Sequence, residues 1–221
     1  MCFNKSSSIV SYVAGTLLSL VLITYGDKID KHIGLFSLVF VQMQLAEYFM
    51  WKDQKCTYIN HYASIYGHIT LLLQPISVIL FGIILNTFAY PKKYLYILLF
   101  IIILPLLHKI YLYANNTKKL CTKKEDSGHL EWVFVDGNTE DWSNFYFMLY
   151  FIFLSVPWLL LNDKFRGLLF FLLIILSYAY QRYNFPQWES KWCFYAVQTP
   201  LIFLIILILR NMKIVKYIKN F

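Results

Sequence analysis

The chain has 221 residues and a formal net charge of +8, with 59% hydrophobic and only 14% charged residues, where a soluble domain carries about a quarter. Such a composition excludes an ordinary water-soluble domain. The basic residues fall between apolar runs and form no patch or stripe, which argues against nucleic acid as a partner and for the short basic loops of a membrane protein.

Seven apolar runs follow along the chain: Ile9–Tyr25, Ile33–Trp51, Tyr62–Phe88, Lys93–Tyr113, Asn144–Leu161, Phe165–Arg182 and Trp192–Arg210. Each reaches or approaches the roughly 20 residues that a spanning helix needs. The first lacks a small-residue cleavage pattern before Asp27, which favours a retained helix over a signal peptide. The expected fold is all-α: an integral membrane bundle of seven transmembrane helices. It forms a single domain over residues 1–221, with the lipid bilayer as its first partner. The one sizeable loop is 114–142. Its GHLEWVFVDGN stretch carries an Asp136-Gly137 turn signal, and the loop is either a lid or a plain surface connection.

Seven helices put the termini on opposite faces. The face with Gly26–His32, Ala89–Lys92, Asn162–Lys164 and the basic tail from Arg210 has few acids and suits the cytoplasm. The other face carries the N-terminus and the 114–142 loop. There lie all four cysteines (Cys2, Cys56, Cys121 and Cys193) and both glycosylation sequons, at Asn4 and Asn115. Clustered cysteines suit an oxidising compartment. The expectation is therefore N-terminus outside and C-terminus cytoplasmic, with at least one disulfide. Four cysteines allow three connectivities, and Cys2 with Cys193 and Cys56 with Cys121 is the pairing expected here.

Depth sorts the polar residues. At 1.5 Å per residue, Glu47 lies about 6 Å below the outer boundary, His108 about 8 Å, and His68 and Gln198 about 9 Å. Gln44 and Gln74 lie deeper. The inner segments VILFGIIL, LYILLFIIIL, GLLFFLLII and LIFLIILIL are nearly free of polar groups. Polar side chains in a bundle face one another because lipid offers them no partner. The candidate ligand-binding residues Gln44, Glu47, His68, Gln74, His108 and Gln198 are therefore expected to form a polar cup open to the outer face.

Three functions are compatible with a cup. The first is binding, transport or scaffolding of a small-molecule or lipid ligand. The second is a membrane-embedded metal-dependent hydrolase, in which Glu47, His68 and His108 supply three zinc ligands and leave one position for water. The third is a purely structural membrane component whose polar groups only order the helices. No cofactor other than this zinc is suggested by the residues. A retinal protein is excluded because 192–210 contains no lysine.

Four fragments, MCF at the start, MQLAEYFMW at 43–51, LLQP at 72–75 and WCF at 192–194, together resemble an uncharacterised family of multi-pass membrane proteins encoded by large DNA viruses of protists. The Ile-, Asn- and Lys-rich usage suits an AT-rich genome of that kind. The expected location is a viral, plasma or endoplasmic reticulum membrane, and the resemblance brings no activity or site residue with it.

Overall fold

The computed structural model describes residues 4–115, 118–126, 128–132, 144–184 and 198–212, with side chains given throughout except at 144–147, 181, 182 and 184. Among these residues there are seven α-helices: α1 (Lys5–Tyr25), α2 (Lys28–Lys52), α3 (Tyr58–Leu85), α4 (Lys92–Asn115), α5 (Asn144–Ser155), α6 (Lys164–Asn184) and α7 (Thr199–Asn211). A 3-10 turn, Val156–Leu160, continues α5. The helices α1 to α4 are long and apolar enough to cross a membrane. Each contains at least 21 residues, or about 32 Å at 1.5 Å per residue.

Local chemistry sets the helix starts. Asn4 caps α1 by accepting from the Ser7 N–H, and Asp27 caps α2 by accepting from Ile29 and Asp30. Both caps are reciprocal: the N3 side chain returns a bond to the cap backbone, which satisfies donors the first turn leaves open. Thr57 caps α3. These caps lengthen α1 and α3 at their starts, beyond the apolar runs, because capping is polar and leaves no trace in hydropathy.

The α1–α2 pair is built on small residues. Ser8, Ser11, Gly15 and Ser19 line the buried face of α1, the small-residue spacing that lets helix backbones approach without help from the hydrophobic effect. On the facing helix, a Cβ at Gly34 would stand 2.8 Å from the Ser19 carbonyl, so only glycine fits. An aromatic stack then ties α2 to the later helices. Trp158 is fully buried and stacks on Phe170 at 3.9 Å, Phe170 stacks on Phe203 at 5.2 Å, and Phe36 meets both Trp158 and Phe170 edge-on.

The 114–142 loop contains a short antiparallel hairpin, β1 (Lys123–Lys124) with β2 (Leu130–Glu131), in the register Lys123 to Glu131 and Lys124 to Leu130. Between the strands, the Gly128 N–H donates to the Glu125 carbonyl at 2.9 Å and the Glu125 N–H to the His129 carbonyl at 2.8 Å. Gly128 has φ +85°, a conformation other residues adopt at a cost. The Asp136-Gly137 turn expected from sequence lies outside the described residues, as do Cys2 and Cys193.

Candidate functional site

Polar groups converge at two ends of the bundle. At the first end, α2 finishes and α3 begins, and the hairpin loop is clipped across them. Asn60, fully buried, does most of the clipping. Its Oδ1 accepts from the Thr122 N–H at 2.9 Å, and its Nδ2 donates to the Thr122 carbonyl at 2.8 Å and the Asp53 carbonyl at 2.9 Å. Its amide thus mimics a strand neighbour. Ser64 bonds the Thr122 hydroxyl at 2.9 Å, the Leu120 N–H donates to His61 Nδ1 at 3.0 Å, and the Lys124 N–H donates to Gln54 at 2.7 Å.

Asp53, at the C-terminus of α2, accepts from the Thr57 hydroxyl at 2.5 Å and the Asn60 N–H at 3.0 Å. The Thr57 bond, against the opposing effect of burial, holds its carboxyl below the usual range. A disulfide between Cys56 and Cys121, Cα atoms 5.4 Å apart, fastens the same loop covalently. One half of the expected pairing is therefore present, and the other half lies outside the described residues.

Just after β2, Trp132 packs over Gly67 and His68. Its ring centroid lies 5.5 Å from that of His68, and a Cβ on Gly67 would stand 2.8 Å from the indole. His68 is buried, stacks on Tyr113 at 5.8 Å and pairs with the Tyr113 hydroxyl through Nδ1. Gln44 and Glu47 are both fully buried, and Gln44 Nε2 donates to Glu47 Oε2 at 3.3 Å. Gln74 is also fully buried and accepts from the Tyr150 hydroxyl. Four of the six predicted site residues, Gln44, Glu47, His68 and Gln74, are thus interior.

The other two are not interior. His108 is exposed on α4, and Gln198 is exposed at the start of α7. Among the described residues, no three His, Cys, Asp or Glu side chains group as a metal centre requires. Of the two sequon asparagines, Asn4 serves as the α1 cap, and Asn115 donates its Nδ2 to the Tyr111 carbonyl at 2.8 Å.

The sequence places the segments of the second polar end on one face but shows nothing of the ion pairs that join them. The α1–α2 corner, the start of α6 and the end of α7 meet there around two arginines. Arg166 donates to Asp27 at 2.8 Å, Asp30 at 2.9 Å and Asp163 at 2.7 Å. Arg210 donates to Asp27 at 3.0 Å and Asp30 at 2.5 Å. Asp30 is fully buried, and Arg166 is 7% exposed. For Asp27, burial acts to raise the carboxyl pKa. The hydrogen bond from Arg166, the Asp30 backbone and the charges of both arginines outweigh it and hold the group well below the usual carboxylate range.

One turn further in, His32 is fully buried. Its Nε2–H donates to the Val78 carbonyl at 2.8 Å, and its Nδ1 pairs with the Thr87 hydroxyl at 2.9 Å. Two signals bear on this end: Asp27-x-x-Asp30 directly after Gly26 is a helix-start pattern, and Asp163-x-x-Arg166 is a one-turn ion pair. Neither signal links the two, since 136 residues separate Asp30 from Arg166.

Comparison of the chain with family models, with curated proteins and with solved structures finds no match.

Proposed function

We propose that the chain is a seven-span integral membrane protein, with the Cys56–Cys121 end outside and the Arg166–Arg210 end cytoplasmic, that holds a small polar or lipid ligand beneath its stapled loop. The observation that carries this reading is the buried Gln44–Glu47 pair on α2, with His68 at the same end under Trp132. A carboxylate inside a span is a functional hypothesis by default, because hydrocarbon penalises it so heavily. The disulfide supports the orientation, since such bonds persist outside the cytosol. A viral, plasma or endoplasmic reticulum membrane is the proposed location.

A structural role is the second reading. Its support is the closure of the Asn60–Ser64–Thr122 bonds and of Gln74 with Tyr150, which need no ligand. The hydrolase reading lacks comparable support, since His108 is exposed on α4.

The experiment that separates the first two is mass spectrometry of small molecules and lipids retained by the purified protein, set beside the Glu47→Gln variant. Binding requires a species kept by the wild type and lost from the variant. Identical extracts from two folded proteins leave the structural role.

A further inference from the structure

The charged side chains are not shared evenly between the two ends. Among the described residues, the acids of the Arg166–Arg210 end are Asp27, Asp30 and Asp163, and every one is ion-paired to an arginine. Lys28, Lys31, Lys92, Lys93 and Lys164 stand around the same end. Lys28 and Lys31 flank the α1–α2 corner and Lys164 follows Asp163 directly. Lys92 and Lys93 open α4, joined to this end where Ala89 and Thr87 bond Leu160 and Asn162. Four of the five are exposed, Lys31 is half-buried, and none forms an ion pair among the described residues. The two arginines thus occupy the carboxylates, and among the described residues the lysines are left with no counter-charge.

Helix direction adds to the imbalance. α2, α4 and α6 all begin here, with Lys28, Lys92 and Lys164 as their first residues. A helix N-terminus carries partial positive charge and favours anions, so a lysine there opposes its own helix. Asp27 and Asp163 already face the starts of α2 and α6, and an external anion relieves the lysines that remain. Tyr25, Tyr90 and Tyr94 are exposed beside these lysines, and tyrosine settles at the level of lipid headgroups. The Cys56–Cys121 end differs: Lys52, Lys55, Lys118, Lys119, Lys123 and Lys124 there share the end with Asp53, Glu125, Asp126 and Glu131, and no arginine pairs with Asp53, Asp126 or Glu131 among the described residues.

We infer that the Arg166–Arg210 end is a docking surface for anionic phospholipid headgroups, with the five lysines contacting lipid phosphates and carboxylates. The arginines keep Asp27, Asp30 and Asp163 from competing with the lipid. The inference rests on the membrane-spanning reading above and adds which leaflet lipids the protein selects.

The test reconstitutes the full chain into phosphatidylcholine–phosphatidylserine vesicles and compares how spin-labelled forms of the two lipids associate with it. Sodium carbonate extraction first establishes that the protein is embedded; release by carbonate would sink the membrane reading itself. For embedded protein, phosphatidylserine should be enriched several-fold over phosphatidylcholine, and raised salt should shrink that ratio, as it does for exposed charges. A variant with all five lysines changed to glutamine should lose that several-fold enrichment and fall towards parity. Changing Lys118, Lys119, Lys123 and Lys124 to glutamine instead should leave the ratio unchanged. Parity in the wild type, or a loss caused by the second variant and not the first, overturns the proposal. Formation of the Cys56–Cys121 disulfide in each variant reports that it folds.

Discussion

At the hairpin end, Asn60, Ser64 and Thr122 close the bundle with neutral hydrogen bonds and one disulfide, whereas at the opposite end Asp27, Asp30, Arg166 and Arg210 close it with charges. The hairpin end, where the Asp53 carboxyl also accepts from Thr57 and the Asn60 N–H, holds a loop onto two neighbouring helices. The charged end holds helices together: the corner of the first hairpin, the start of α6 and the end of α7. Hydrogen bonds between neutral groups contribute modestly and resist salt. Charges are costly to bury, and a buried pair is weak evidence of stability, yet removing one partner strands the other. The two ends should therefore fail differently.

The largest effect is expected at Asp30. Asp30→Ala leaves Arg166 buried with fewer acceptors and should destabilise the protein by roughly 3–5 kcal/mol. Unfolding in detergent measures this, and a loss below that of the double cysteine variant would break the proposed contrast between ends. Next comes the staple: Cys56→Ser with Cys121→Ser should cost about 2–4 kcal/mol, matched in the wild type by adding reductant. The loss should be local, so that hydrogen exchange rises at 118–132 and not at the α1–α2 corner.

Asn60→Ala removes an amide that serves the Thr122 N–H and carbonyl, and each buried group left without a partner costs roughly 1–3 kcal/mol. This loss should be insensitive to salt, whereas that at Arg210, which is 28% exposed, should shrink as salt rises.

The smallest effect is the response to acid. Because the Asp27 carboxyl is held below its ordinary value of 3.8, its contribution is fully present above that pH and is lost as the pH falls towards the folded value. Asp27→Asn should flatten the decline in melting temperature on acidification below about pH 4. The change should be small, since the Asp27 side chain is 47% exposed and well screened. An undiminished slope would assign acid sensitivity to Asp53, whose carboxyl is also held low.

Legibility in the sequence followed the range of the interaction. The interior positions of Gln44, Glu47, His68 and Gln74 could be read from polar residues within apolar runs, because a span gives such groups nowhere to go but inward. His108 and Gln198 were equally polar and equally deep by count, and both are exposed. Counting residues yields depth and not rotation about the helix axis, and α4 turns His108 away. The loop was legible as a candidate lid, but the role of Asn60 was not, since its partner at Thr122 lies 62 residues on.

Sequence by itself determined that this is a helical chain with apolar runs of spanning length and that Glu47 has to be interior, while the polar caps start the helices several residues before those runs. These follow from burial and capping, which act over a few residues. Only the tertiary structure decided which polar groups meet. Arg210 reads as the start of a basic tail, yet it lies against Asp27 and Asp30 from 183 and 180 residues away. No periodicity records such a pairing: the attraction between charges depends on distance in space, and helix packing sets that distance.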